Sequence, residues 1–117
     1  MSRTVLIVDD HEGFRASARR VLEAEGYTVV AEAADGGSGL RAAAEAHPDV
    51  ALIDIQLPDI DGFEVARRLR DAGADAAIVF ISSRDSSDFG SMVESSGARG
   101  FVAKDELSVQ SVEALLA

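Results

Sequence analysis

The sequence contains no cysteine and no tryptophan, and lysine occurs only once. Without cysteine the chain has neither a disulfide framework nor a thiolate metal site, which is typical of a reducing cytosol, so we expect a cytoplasmic protein. No apolar run approaches the roughly 20 residues that span a bilayer, and the N-terminus lacks the basic segment that begins a secretory signal. We therefore expect no contact with the membrane.

Basic residues are scarce as well. The 117 residues include 21 acidic and 11 basic side chains, a formal net charge of −10. Because such a surface is repelled by phosphate backbones, we expect no direct nucleic-acid binding by this chain. The length and the 47% hydrophobic content suit one domain over residues 1–117. An output domain, if one exists, is expected to lie outside this chain.

Five short apolar runs divide the chain. Because these runs do not alternate with polar residues, they indicate strands buried on both faces, as in a parallel sheet. The segments between them carry apolar residues at helical spacing. The runs are Thr4 to Val8, Tyr27 to Ala33, Val50 to Ile53, Ala77 to Ile81 and Gly100 to Ala103.

The alternation of strands with helices predicts an α/β fold with three layers, in which a doubly wound, five-stranded parallel sheet carries helices on both faces. Gly26, His47-Pro48 and Gly73 are expected to end the first three helices, and Asp61 with Glu64 to form a capping box at the start of the third. Ligands in such folds bind where the strand order reverses, which in the flavodoxin-like order 2-1-3-4-5 lies between the first and third strands.

Aspartates follow both strands that flank this reversal point. Asp9 and Asp10 come directly after the first run, and Asp54 comes directly after the third. Since neighbouring strands lie about 5 Å apart, the three carboxylates should converge on one pocket. Their mutual repulsion favours a divalent cation, and oxygen ligands without His or Cys point to Mg²⁺. Any one of these aspartates taken alone could instead be a helix or turn cap.

The fourth and fifth strands each deliver one more polar side chain to the same edge. Ser82 follows the fourth run, and Lys104 follows the fifth. A hydroxyl and an ammonium beside an acidic pocket suit a tetrahedral anion held on a carboxylate. The other ten basic residues are all arginine, and a compact ammonium can reach one oxygen where a guanidinium fork needs more room. The simpler alternatives are a turn residue for Ser82 and a surface charge for Lys104.

Taken in order, these motifs resemble the receiver domains of two-component response regulators over essentially the whole chain. Each motif is weak alone, but four at compatible spacing are specific. Asp105 stands where most receivers have proline after the lysine, and this departure resembles the subfamily whose receivers precede a LuxR-type helix-turn-helix. The matching stretches are Val8 to His11, Leu52 to Gly62, Ile81 to Ser83 and Gly97 to Lys104.

The resemblance implies a phosphate acceptor and a metal site. Asp54 would accept a phosphoryl group from a sensor histidine kinase. Asp10 and Asp54 would bind Mg²⁺ directly and Asp9 through water, while the backbone carbonyl of Gln56 would complete the protein ligands. The chain would catalyse only its own phosphorylation and dephosphorylation, so we do not expect an enzyme with a separate substrate.

The resemblance also implies a conformational switch. Ser82 and Lys104 would contact the phosphoryl oxygens, and movement of Ser82 would vacate space for Phe101, at the aromatic switch position. The face formed by the fourth helix, fifth strand and fifth helix would then change and control an output, expected to be transcription. Phe101 lacks the hydroxyl of a tyrosine, and its alternative is an ordinary core residue. Expected partners are the kinase, a DNA-binding output domain and a second copy of the chain after phosphorylation.

Two other functions remain open. A pseudo-receiver would keep the fold and bind a partner without phosphorylation, although the intact set of site residues argues against it. A haloacid-dehalogenase-like phosphatase would use Asp59 and Asp61 of the stretch Asp-Ile-Asp-Gly. That motif, however, follows Gln-Leu-Pro and not a strand.

Three further expectations concern local structure. The stretch from Asp85 to Gly97 is rich in serine and contains an internal glycine, so the fourth helix is expected to be short or mobile. Ser108 to Ala117 has nearly helical spacing and is expected to form the last helix. His11 and His47 are expected to be surface residues.

Overall fold

Five parallel strands form the centre of the computed structural model, which describes residues 3–83 and 89–116. Their order is β2-β1-β3-β4-β5, as predicted. None of the helices in these two ranges is long and apolar enough to cross a bilayer. The elements are β1 (Thr4–Val8), α1 (Glu12–Ala24), β2 (Thr28–Ala33), α2 (Gly36–Ala46), β3 (Val50–Asp54), α3 (Gly62–Asp71), β4 (Ala77–Ser82), α4 (Gly90–Ser95), β5 (Gly100–Ala103) and α5 (Val109–Leu116).

The three inner strands are buried on both faces and send alternate side chains to two separate cores. One core lies under α1 and α5 and includes Ile7, Leu52 and Val102. The other lies under α2, α3 and α4 and includes Val8 and Phe80. Because the two helical layers cover opposite faces of the sheet, the predicted three-layer architecture is confirmed.

The prediction of full burial is wrong for β2. This strand lies at the edge of the sheet, and Thr28, Val30 and Glu32 are exposed, so burial alternates along it. The strand also begins at Thr28, whereas the apolar run begins at Tyr27. Valine and alanine are common on a half-buried strand surface too, and composition alone therefore could not separate an edge strand from an inner one.

The predicted helix ends are confirmed. The residues expected to end α1 and α3, Gly26 and Gly73, have left-handed φ angles of 105° and 77°. α2 ends at His47, which is also left-handed with φ of 47°. At the start of α3, Asp61 accepts a hydrogen bond from the Glu64 N–H at 2.9 Å. The reciprocal half of the capping box is wrong, because Glu64 pairs with arginines on its own helix.

The fourth helix is short, as predicted. It comprises only Gly90–Ser95, preceded by Phe89, whose ring lies 6.2 Å from that of Phe63 on α3. The first part of the predicted segment, residues 85–88, lies outside the described residues. Mobility of this helix stays a prediction.

Asp59, in the loop between β3 and α3, fastens this loop to the start of α2. Its two carboxylate oxygens accept hydrogen bonds from the N–H groups of Gly36 at 2.8 Å and Gly37 at 2.9 Å. These bonds lower the pKa of Asp59 from 3.8 to about 2. The loop that follows the candidate site is thus tied to a second helix by a charged cap.

Asp59→Asn should lower the melting temperature at neutral pH by a few degrees, because the neutral amide is a weaker acceptor for the two N–H groups. The folded-state pKa lies below the unfolded one, so this stabilisation is present above about pH 4 and is lost as the pH falls through about 2. Thermal unfolding at several pH values should show the two proteins converging as the pH falls.

Asp75→Asn supplies the matched control, since Asp75 is an exposed aspartate in the loop after α3. A stability difference for Asp59→Asn that stays constant from about pH 7 to about pH 3, or an equal loss in the control, would contradict this role of Asp59.

Candidate functional site

Two buried carboxylates and one ammonium meet at the carboxyl edge of the sheet. Asp54 is the last residue of β3, and Asp9 follows Val8, whose register partner is Ile53. Lys104 follows β5 and begins a single 3₁₀ turn. Its Nζ atom lies 2.6 Å from Asp9 Oδ2 and 3.1 Å from Asp54 Oδ2. The structure thus brings together three of the predicted site residues from three different strands.

Each buried aspartate has one oxygen for the backbone and one for the pocket. Asp9 Oδ1 accepts from the His11 N–H at 2.8 Å, and Asp54 Oδ1 accepts from the Gln56 N–H at 3.1 Å. The Oδ2 atoms of both residues face Lys104. The sequence left open whether these aspartates cap turns or line a pocket, and each of the two side chains does both.

Burial dominates the electrostatics of Asp54, whose side chain is only 5% exposed. This desolvation raises the pKa of Asp54, although the Gln56 N–H and the Lys104 ammonium both favour the carboxylate. Burial also opposes the charged form of Lys104, but the contacts with both carboxylates outweigh it and raise the Lys104 pKa. The site therefore holds charges that the surrounding protein does not fully compensate.

The side chains present fit a hard divalent cation. One carboxylate oxygen each from Asp9, Asp10 and Asp54 and a ring nitrogen of His11 all lie within 4.8 Å of one another. Three carboxylates against the single ammonium of Lys104 leave two formal negative charges, which a divalent ion would balance. Asp9 Oδ2 is also fully buried and, in the described part of the chain, lacks a hydrogen bond of regular geometry, its contact with Lys104 being ionic.

The loop after β3 brings the start of α3 against the backbone of Asp54. Gln56, the predicted carbonyl ligand, is exposed in this loop. Where the loop ends, at the start of α3, the Gly62 N–H donates to the Ile55 carbonyl oxygen at 2.8 Å. A Cβ atom at Gly62 would collide with the Asp54 carbonyl oxygen, so only glycine allows α3 to begin this close to the site.

The two predicted switch residues lie on the other side of the sheet. Ser82 ends β4 and is buried, one position beyond Ile81, the register partner of Asp54. Phe101 is half-buried against the core under α2, α3 and α4. Its register partner is Phe80. Both residues therefore lie on the side of the sheet that α4 covers.

Three residues at the site had not been assigned to it from the sequence. The exposed ring of His11 contacts Asp10 Oδ1 at 3.1 Å and Asp9 Oδ1 at 3.3 Å. Arg15 donates to the Asp9 backbone carbonyl at 2.6 Å, and the Phe14 ring lies under Lys104. The signal available was position, since all three are among the five residues that follow the acidic pair. His47 is exposed, as predicted.

The two aspartates of the alternative phosphatase motif have structural roles. Asp59 caps α2 and Asp61 caps α3. Neither belongs to the cluster of metal-ligating side chains around Asp54. The phosphatase interpretation is therefore without support from the geometry.

The sequence matches the family described as the response regulator receiver domain over residues 5–115. It is 38% identical over 106 residues to BvgA of Bordetella pertussis, whose name refers to positive regulation of virulence-factor transcription. It is also 43% identical over 86 residues to the response regulator MprA of Mycobacterium ulcerans. These matches cover 91% and 74% of this chain but only 51% and 37% of the relatives, so the chain spans about half of BvgA and less of MprA.

Solved structures agree with this match. A LuxR-family two-component response regulator from Aurantimonas sp. SI85-9A1 has a TM-score of 0.89 at 36% identity, covering 99% of this chain and 86% of that one. A CheY-like receiver domain protein from Methanospirillum hungatei JF-1 has a TM-score of 0.84 at 26% identity, covering 99% and 92%.

Asp54→Asn should raise the melting temperature of the metal-free protein by several degrees, because it removes a charge that burial disfavours at neutral pH. Mg²⁺ should raise the melting temperature of the wild type more than that of the variant, since an ion bound only by the native state stabilises it. Thermal unfolding with Mg²⁺ and with a chelator measures both effects.

Asp105→Asn is the matched control, because Asp105 is an exposed aspartate next to Lys104. A variant at position 54 that melts below the wild type without metal, or that responds to Mg²⁺ as strongly as the wild type, would contradict this view of the site.

Proposed function

This chain belongs to the response regulator receiver domain family, and on that basis we propose that Asp54 accepts a phosphoryl group from a sensor histidine kinase. One observation carries the proposal. Asp54 is the buried carboxylate that ends β3 with one oxygen fixed by the Gln56 N–H and the other facing Lys104. The oxygen that faces the pocket would form the new bond to phosphorus as the bond between phosphorus and the donor breaks.

The residues around Asp54 would lower the barrier mainly by position and charge. A carboxylate and a phosphoryl group repel each other, so the transfer needs positive charge near the reacting oxygens. Lys104 supplies one such charge within hydrogen-bond reach of Asp54. The Gln56 N–H holds Asp54 Oδ1 and so limits rotation of the carboxylate.

A divalent cation, for which we propose Mg²⁺, would complete this charge balance. Asp9, Asp10, Asp54 and the Gln56 carbonyl would hold it, with Asp9 acting through water. When bound, Mg²⁺ neutralises charge on the carboxylates and on the phosphoryl oxygens and helps to align them. The chemistry is confined to phosphorylation of this chain and its reversal, without turnover of a separate substrate.

The product would change the carboxyl edge of the sheet. An acyl phosphate adds roughly −1.5 to −2 charge and three acceptor oxygens. Ser82 and Lys104 would contact those oxygens, and movement of Ser82 would open space for Phe101 on the α4 side. We propose that the face formed by α4, β5 and α5 reports phosphorylation in this way.

The output is proposed from the relatives. BvgA carries a transcription-related name and is about twice as long as the matched region. We propose that residues 1–117 act as one receiver domain in the cytoplasm and control transcription through a DNA-binding domain outside this chain. We also propose that two receivers pair on phosphorylation. The competing proposal is a binding module that acts without phosphorylation. The presence of Asp9, Asp54 and Lys104 in contact with one another favours the receiver.

The direct test is incubation with acetyl phosphate and Mg²⁺, followed by intact mass. Wild type should gain one phosphoryl group, and Asp54→Asn should gain none, because the acceptor oxygen is replaced by an amide. Asp105→Asn should behave as wild type. Failure of the wild type to gain mass, or equal gain by Asp54→Asn, would refute phosphorylation at Asp54 and favour the binding module.

Lys104→Arg separates charge from geometry. The variant keeps a positive charge, so phosphorylation should persist at a reduced rate, but the broad guanidinium should not reproduce the compact contacts with Asp9 and Asp54. The conformational response should therefore weaken, measured as smaller amide chemical-shift changes along β5 on phosphorylation. Arg99→Lys, an exposed position before β5, is the reverse control. A full response in Lys104→Arg would contradict the need for a lysine.

A further inference from the structure

The ammonium of Lys104 has a third neighbour besides the two carboxylates. Its Nζ atom lies 4.8 Å from the centroid of the Phe14 ring, within the range of a cation–π contact. The Lys104 side chain is only 14% exposed; its Nζ atom donates to Asp54 and forms an ion pair with Asp9. The ammonium is thus enclosed by two carboxylates and one aromatic ring.

The alternation of the strands explains why Phe14 occupies this place. Ile7, Leu52 and Val102 all belong to the core under α1 and α5. Two residues further along the chain stand Asp9, Asp54 and Lys104, which therefore fall on the same side of the sheet. Phe14 is the third residue of α1 and packs against that same core. The first turn of α1 consequently places an aromatic ring against the reactive end of the lysine.

A ring suits this position better than a polar side chain would. An ammonium has three N–H donors; one donates to Asp54 Oδ2, and the charge also pairs with Asp9 Oδ2. A polar neighbour would compete for a remaining donor, whereas the ring attracts the charge through its face without offering a lone pair. The attraction depends on the position of the charge over the ring and not on the direction of any N–H bond, so the ammonium can turn towards a phosphoryl oxygen without losing the contact.

We propose that Phe14 is a positioning residue that holds the Lys104 ammonium beside Asp54 and leaves an N–H donor available for the phosphoryl group. This inference rests on the proposed phosphorylation of Asp54. It assigns to the first turn of α1 a part in the chemistry, which acts through Lys104 and involves no contact with the phosphoryl group itself. Leucine at this position would fill similar space without attracting the charge.

If Phe14 were only a core residue, its substitution would have a different effect. If the ring only filled space, its loss would lower stability without any specific effect on Lys104. Phe63 offers a matched comparison, because it is a half-buried phenylalanine on the opposite face of the sheet, 4.8 Å from the ring of Phe80. The same substitution there removes a packed ring on the side of the sheet opposite to Phe14.

The experiment compares wild type, Phe14→Leu, Phe14→Tyr and Phe63→Leu by two measurements. The chain has one lysine, so growth with carbon-13-labelled lysine gives a single ε-CH₂ signal, whose protons should be shifted upfield by the Phe14 ring. The second measurement is the rate of phosphoryl gain from acetyl phosphate with Mg²⁺, followed by intact mass.

We expect Phe14→Leu to lose the upfield shift and to gain phosphoryl groups about three- to tenfold more slowly, as the loss of a partly buried cation–π contact implies. Phe14→Tyr should keep both properties, because it keeps the ring. Phe63→Leu should retain the Lys104 signal and a rate near that of wild type.

Two kinetic results would overturn this inference while leaving the proposed function intact. One is a wild-type rate in Phe14→Leu, and the other is equal slowing in Phe14→Leu and Phe63→Leu. An unshifted ε-CH₂ signal in the wild type would also overturn it, because the ring would then not face the ammonium. If wild type gains no phosphoryl group at all, the proposed function fails first and the positioning role falls with it. The wild-type mass spectrum therefore separates the two failures.

Discussion

The buried contact between Lys104 and two carboxylates is the interaction around which the rest of the site is arranged. Removing Lys104 would leave two carboxylates without their counter-charge in a place that water barely reaches, and such a loss is costly in proteins. Yet the ammonium matches only one of the two carboxylates it touches, and burial raises the pKa of Asp54 in spite of it. The site is thus built to be completed by further positive charge.

In the proposed function, the sheet would separate the chemistry from the response. Alternation puts Asp9, Asp54 and Lys104 on the side covered by α1 and α5, where Phe14 also packs. Phe101 packs on the side covered by α2, α3 and α4. Ser82, at the end of β4, stands at the edge that both sides share. If Asp54 is phosphorylated as proposed, the change of charge would reach α4 through the end of β4.

Much of this arrangement could be predicted from the sequence, because it depends on strand ends. Asp54 and Lys104 come directly after apolar runs, and a parallel sheet brings such positions to one edge. It was harder to predict which of several nearby partners a side chain would contact. Glu64 pairs with arginines on its own helix and not with the backbone in a capping box. Phe14 could not be told from any other apolar residue of an amphipathic helix. Only the register between strands and helix shows that its ring faces Lys104.

The position of the phosphoryl group tests the account most directly. Borohydride reduces an aspartyl phosphate to homoserine, and peptide mass mapping then locates the modified residue after phosphorylation of the wild type. The account predicts conversion at position 54 and nowhere else, since Asp54 combines burial, a fixed oxygen and contact with the lysine. Conversion at Asp9 or Asp10, or a phosphoryl group that resists reduction because it sits on a hydroxyl such as Ser82, would contradict it.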